Sequence, residues 1–312
     1  MTSRPGLGAF SFQKIIETLL ALFLLAFIAF AFLRALPGGP FDEETPMNPL
    51  VRESLQRYWS LDQPFFIQFL IYLKSIARGD FGSSMAQTGR TVVDVLAAGV
   101  AQTLALNAIA ILTAYAGAFI TSLLGTLKSG TWIAQVIEIL NVLAISMPSL
   151  FLGPILIYFF AFYLNLLPAA FLTTPEHYIL PVMTLALRPW AQMNLLLTNS
   201  LRDNLRLDYV RTARAKGLSR MRVVLGHALK NSIMPILSLS GPLIVGLISG
   251  SFVVEILFAI PGLGQQFVES LNLRDYPVVM ALVLCYGAGL ILLTNVFDFL
   301  AHALDPRLTG QR

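Results

Sequence analysis

Charge is scarce in this chain: only 12% of its 312 residues are Asp, Glu, Lys or Arg, about half the share a soluble domain carries. With 56% hydrophobic residues and a mean hydropathy of +0.73, that scarcity excludes a water-soluble globular fold and requires an integral membrane protein. Cysteine is scarcer still. Cys285 is the only one and lies inside an apolar run, which excludes an intrachain disulfide and a thiolate metal cluster and leaves the redox compartment unread. The three histidines, His177, His227 and His302, are too far apart in the expected topology to share a metal; His227 is expected to pack or hydrogen-bond within its loop. None of the five lysines, at 14, 74, 128, 216 and 230, follows a glycine, so no Walker A phosphate loop is present. The sequence also lacks a GxSxG nucleophile motif, which argues against an intramembrane hydrolase.

What is present is a series of long apolar runs. Arg4 and Lys14 precede Ile15 to Leu33, 19 residues, or roughly 28 Å as helix, which matches the hydrocarbon core. Ala29-Phe30-Ala31 fits a signal-peptidase pattern, but the run is longer than the usual signal core of about 7–15 residues, and an uncleaved first span is expected. Further runs lie at about 101–125, 132–167, 178–198, 236–258 and 278–301. Counting 132–167 as one crossing, interrupted near Ser146-Met147-Pro148 where proline bends the helix, predicts an all-α polytopic protein with six transmembrane helices. That count puts both termini, Lys128 and the polar 199–235 connector on the cytoplasmic side, as the positive-inside rule asks. The expected organisation is a tail and first span in 1–34, an extracytoplasmic loop in 35–99, and a core of five spans in 100–312 that carries the connector. In the outer loop, Phe66, Phe69, Leu70, Leu73 and Ala77 predict one stripe of a short helix, with Asp62 capping it, Pro64 in its first turn and Gly79 ending it. Residues 259–277 read as a short turn-rich loop outside.

The net charge of +4 and pI near 9.3 raise nucleic acid as a partner, but eight of the 21 cations fall between 199 and 235 against only Asp203 and Asp208. That asymmetry reads as topology, and no nucleic acid is expected. Within the connector, Asp208 is placed to cap a helix from Tyr209 through Arg211, Thr212, Ala213, Arg214, Ala215 and Lys216, stopped by Gly217 and followed by Leu218. Ser219 would cap a returning helix, Arg220 to about Ile233, ending before Pro235. Small side chains at Thr212, Ala213, Ala215 and Gly217 would let a partner approach the backbone, with the cations orienting it. The alternative is a loop that only fixes topology and hugs anionic lipid.

DYVRTARAKGLS with HALKNSIMP resembles the EAA-type coupling loop of binding-protein-dependent ABC importer permeases, in the dipeptide/oligopeptide/nickel branch. LDQPFFIQFLIYL at 61–73, GDFGSS at 79–84, ILPVMTLAL at 179–187, VEILFAIPGLG at 254–264, RDYPVV at 274–279 and DPR at 305–307 are similar to that family in the same order. Against the general pattern, Arg211 stands where Glu is usual, Thr212 replaces the first Ala, Ala213 and Gly217 are kept, and Lys230 occupies the place of a proline. Ile260 replaces a common Trp. The resemblance implies a type I importer permease fold with an extra N-terminal span. It further implies a prokaryotic cytoplasmic membrane, a second permease subunit as heterodimer partner, two cytoplasmic ATPases and an extracytoplasmic solute-binding protein. ATP and Mg would be bound by those partner subunits and no cofactor by this chain. Asp208, Tyr209, Arg211, Thr212, Ala213, Arg214, Ala215, Lys216, Gly217 and Leu218 would couple to an ATPase, while Glu255, Phe258, Pro261, Gly262 and Gly264 would form a gate or receptor contact. The rival reading, a self-sufficient secondary transporter, should show inverted repeats and midplane ionisable residues, and neither is clear.

Charges within spans are Glu17, Glu138, Arg188, Glu255 and Asp298. Structural pairing is the expected role of Glu138, Arg188 and Glu255, and Tyr158, Phe159, Phe160, Phe162 and Tyr163 read as an interfacial belt.

Overall fold

A computed structural model describes residues 7–36 and 49–304; the DPR sequence at 305–307 lies outside them. The described residues are mostly helical, without a strand. In order they form α1 (Leu7–Ala35), α2 (Pro49–Tyr58), α3 (Phe65–Ile76), α4 (Val92–Leu127), α5 (Trp132–Ser146) and α6 (Ser149–Leu156), which runs on as a π-helical turn, Ile157–Tyr163. There follow α7 (Ile179–Asn204), α8 (Asp208–Ala215), α9 (Arg220–Val223), a π-helical turn Val224–Ala228, α10 (Leu229–Ser232), α11 (Met234–Leu257), α12 (Leu263–Asn272) and α13 (Tyr276–Leu304). The helices divide into two compact units, one of residues up to 100 with 265–292, the other of 101–264 with 293 onward.

Lys14–Ala35, Val92–Leu127, Leu239–Leu257 and Tyr276–Phe297 are each long and apolar enough to cross a membrane. Trp132–Ser146 and Ser149–Tyr163 satisfy length and composition together, but meet at 116° across Met147-Pro148. Counting that bent pair as one span gives five by composition rather than six. The sixth expected span, α7, is 26 residues long but has Arg188, Gln192 and Asn194 along its middle. Its apolar residues are largely buried by neighbouring helices, so the helix does not depend on lipid contact.

In the first unit, Phe30, Phe69, Tyr276 and Met280 are core residues. Phe27 and Phe30 of α1 meet Phe65 and Phe69 of α3 at ring separations of 5.3–6.0 Å. The buried face of α3 is therefore displaced by one residue from the predicted stripe: Phe66 and Leu70 are 69% and 63% exposed, because α1 and α13 cover the flank bearing Phe65, Phe69 and Leu73. Asp62 does not cap α3; Pro64 occupies the cap position without a side-chain bond. A capping box opens α4, where Thr91 N–H donates to Asp94 Oδ2 (3.1 Å) and Asp94 N–H to Thr91 Oγ1 (3.2 Å). The 83–91 segment before it is tied to buried Asp275, whose carboxylate accepts from Ser84 Oγ, Met85 N–H (3.1 Å) and Ala86 N–H (3.4 Å). The supposed loop 259–277 contains α12, whose Phe267 and Leu271 pack on the core. Their four-residue spacing is helical, and Pro261-Gly262 only precedes it.

The second unit is built around α7, with α4, α5, α6 and α11 packed on it. Leu106, Ala110, Ala114 and Ala118 are all buried on one stripe of α4, and such small side chains allow close helix approach without a strong hydrophobic drive. Polar groups inside the unit pair with each other: Asn141 Nδ2 donates to Asn194 Oδ1 (2.8 Å), and both Trp190 Nε1 (3.1 Å) and Asn194 Nδ2 donate to Thr121 Oγ1. Asn107 Nδ2 reaches Ser251 Oγ on α11 at 3.0 Å. Glu138 pairs with Arg202 at 2.8 Å, the structural role expected of it. Arg188 is exposed.

Candidate functional site

The connector folds as a helical hairpin attached to the cytoplasm-directed ends predicted for α4 and α7. Leu207 holds the cap position of α8 and Asp208 is its first residue, so Asp208 does not cap the helix. Its carboxylate instead meets Arg211 at 3.2 Å, with the two side chains 93% and 75% exposed, a pair of little energetic weight. Gly217, at φ +77°, turns the chain at the predicted corner and donates to Arg214 O at 2.9 Å. Ser219 precedes the return limb without a side-chain bond. That limb is not one regular helix, since the π-helical turn Val224–Ala228 separates α9 from α10.

Val210, Ala213 and Val223 form a small core between the limbs, with Leu205 and Leu218 against it. Ala213 is 5% exposed: it is small because Val223 lies opposite, not because an outside surface reaches it. The outward face consists of Tyr209, Arg211, Thr212, Arg214, Ala215 and Lys216, three cations around two small side chains. His227, expected to pack inside the hairpin, is exposed on the π-helical turn.

Side-chain bonds hold this hairpin to its supports. Arg220 Nη2 donates to Thr126 O and Ser129 Oγ, both at 2.9 Å, placing a cation on the last carbonyls of α4 where the helix dipole favours it. Tyr209 Oη donates to Asn204 Oδ1 at 3.1 Å, Asn204 Nδ2 to Ser232 Oγ at 3.1 Å, and Asn231 Nδ2 to Tyr209 Oη at 3.3 Å. Sequence reasoning missed both attachments. Arg220 reads only as one of eight cations, and its partner lies 94 residues away.

The second candidate group lies where α11 ends. Glu255 is fully buried; its Oε2 accepts from Gly264 N–H at 2.7 Å, and Thr103 Oγ1 accepts from Leu263 N–H at 2.9 Å. A Cβ on Gly262 would fall 2.7 Å from Thr103 Oγ1 and nearer still to Glu255 Oε2, so the turn closes over the carboxylate only because no side chain is there. Phe258 is also buried, at 1% exposure, and its carbonyl accepts from Phe171 N–H at 2.9 Å. Of the five residues proposed for a gate or receptor contact, Pro261 alone is exposed. Glu255 pairs with backbone and a hydroxyl rather than a cation, a partner that residue spacing could not reveal.

Residues 116–310 match the model of the family described as binding-protein-dependent transport system inner membrane component. The chain is 39% identical over 281 residues to the dipeptide transport system permease protein DppB of Bacillus subtilis, covering 90% of this chain and 91% of that one. It is 32% identical over 301 residues to the oligopeptide transport system permease protein OppB of Haemophilus influenzae, covering 96% and 98%. Among solved structures, an amino acid ABC transporter crystallised with histidines superposes with a TM-score of 0.53 at 16% identity, over 68% of this chain and 95% of that one. That likeness concerns the fold; the sequence matches carry the assignment. The chain belongs to the family of inner membrane components of binding-protein-dependent transport systems.

Proposed function

We propose that this chain is the permease subunit of an ATP-driven importer that moves peptides or similar small solutes inward after an extracytoplasmic binding protein delivers them. It would pair with a second permease and two cytoplasmic ATPases, and those ATPases would hold ATP and Mg. The observation that carries the reading is the hairpin: a cationic, small-residue face directed outward, bonded through Arg220 to the end of α4 and through Asn204 to the end of α7.

Arg211, Arg214 and Lys216 would orient the hairpin in a groove of the ATPase, while Thr212 and Ala215 let the surfaces approach. Closure of the ATPases on ATP would carry the hairpin with it, and its two attachments would pass that displacement to α4 and α7. The peptide cargo follows from the names of the dipeptide and oligopeptide relatives. In this reading α7 is a sixth crossing shielded by its neighbours, both termini are cytoplasmic, and the 255–264 turn faces the opposite side as part of the gate or receptor contact.

The test is the complex reconstituted with receptor and ATPases in vesicles. Ala215→Trp should insert and assemble normally yet abolish cargo-stimulated ATP turnover, and a cysteine at 215 should react only from the ATPase side. Solute uptake by the chain alone, or labelling of position 215 from the receptor side, overturns the proposal.

A further inference from the structure

Arg34, Gln68, Tyr72 and Asp80 of the first unit line one cavity of about 180 Å³, located where α1 ends, α13 begins and α3 packs beside them. The Arg34 guanidinium lies 5.3 Å from the Phe30 ring centre and 5.7 Å from that of Tyr276. It makes no ion pair among the described residues. Tyr72 Oη and Gln68 Oε1 are buried without a hydrogen-bond partner. The orientation of the Gln68 amide is set by its other atom, since Nε2 donates to Gln63 O (2.6 Å) and Leu61 O (3.2 Å). Burial pushes the Tyr72 phenol up from its ordinary value, so it remains a hydroxyl able to donate. Ser60, Ser75 and Asp80 also line the cavity, Asp80 Oδ1 already accepting from Gly82 N–H at 2.9 Å. Arg34 and Tyr72 thus seek an acceptor, preferably anionic, Gln68 Oε1 seeks a donor, and Asp80 adds a negative charge beside it that favours a cationic one.

A second, almost wholly apolar groove of about 380 Å³ lies deeper along the same helices, between Leu22, Phe23 and Ala26 of α1 and Leu284, Cys285 and Ala288 of α13. Ala26 is about 12 Å along the helix from Arg34, and Phe81 lines both spaces. A cavity that gathers an arginine, a tyrosine, a glutamine and an aspartate within a largely apolar wall at the end of two spans, continued by an apolar groove within them, has the amphipathic profile of a membrane lipid.

We propose that these two spaces hold one phospholipid with a primary-amine headgroup. Its phosphate bonds Arg34 and Tyr72, its ammonium donates to Gln68 Oε1 and Asp80, and one acyl chain fills the groove. A tail-less zwitterion such as a dipeptide offers the same two charges but leaves the groove without a role.

Native mass spectrometry of the complete transporter in detergent distinguishes these ligands, with phosphatidylethanolamine, phosphatidylcholine, phosphoethanolamine and dialanine as probes. Wild type should retain phosphatidylethanolamine several-fold better than phosphatidylcholine, whose quaternary ammonium has no N–H for Gln68. Arg34→Gln should lower retention roughly tenfold, the scale of one charge-assisted contact. Gln68→Leu should remove the preference between the two lipids, and Ala288→Trp should expel the lipid while leaving the Arg34 cavity intact. Gln68→Leu decides the matter if Arg34→Gln does not assemble. Equal retention of both lipids by wild type, unchanged retention in Arg34→Gln, or displacement by phosphoethanolamine or dialanine overturns the proposal.

Discussion

Replacing Arg220 by alanine removes both hydrogen bonds that hold the start of α9 to the end of α4 while leaving the Val210–Ala213–Val223 core of the hairpin untouched. Charge-assisted bonds of this kind contribute about 1.5–3 kcal/mol each when shielded. The Arg220 side chain is exposed, so water competes for both acceptors, and a combined loss of about 1–2 kcal/mol is the appropriate scale. That energy corresponds to a roughly 5- to 30-fold shift in the equilibrium between docked and undocked hairpin. The assay is amide hydrogen exchange on the assembled transporter: amides of 124–131 and 219–223 should exchange faster by that factor, whereas those of 234–257 should be unchanged. Cargo-stimulated ATP turnover should fall in parallel, with basal turnover retained, because the motor still runs but pulls on a loosened lever. Unaltered exchange at the α4 terminus, or full stimulation despite altered exchange, would refute the idea that the hairpin acts through this attachment.

Three further outcomes are expected. Ala213→Leu should overpack the hairpin against Val210 and Val223, both without exposed surface, and cost about 1–3 kcal/mol. The sign of its failure is faster exchange throughout 208–223, whereas Ala215→Leu on the outer face should leave exchange and ATPase co-purification alone and lower only cargo-stimulated ATP turnover. Gly262→Ala forces a methyl group onto Thr103 and Glu255 and should lower the thermal midpoint of the purified complex; an unchanged midpoint means the turn has room to open. Asp275→Ala strands Ser84 Oγ and the Met85 and Ala86 amides, a loss of about 2–4 kcal/mol. It should accelerate proteolysis within 81–91 without altering the exchange of the hairpin.

The apolar runs made α1, α4, α11 and α13 legible because lipid asks only for length and composition. The glycine corner was equally plain, since a left-handed residue after RTARAK has few alternatives to Gly217. Harder to read was anything decided by a distant neighbour. The covered flank of α3 depends on where α1 and α13 lie, and α12 was hidden behind a proline and glycine that mark only its approach. Val210, Ala213 and Val223 reveal the inner face of the hairpin once its limbs are folded together, but a list of small residues cannot say which of them face outward. The Glu255 pocket was the least accessible, because its partners are one backbone amide and one threonine hydroxyl, groups that every sequence contains.

The amide and hydroxyl chain through Asn141, Asn194, Thr121 and Trp190 limits how the second unit can move. Leucine surfaces slide past one another at small cost, but a one-turn displacement of α7 of about 5.4 Å would carry Asn194 and Trp190 away from Thr121 together and leave several buried dipoles unanswered. Helices fastened this way are free to tilt as a bundle and resist ratcheting. A pivot of the helices together keeps all of these bonds, because it leaves the axial registration of α4, α5 and α7 unchanged.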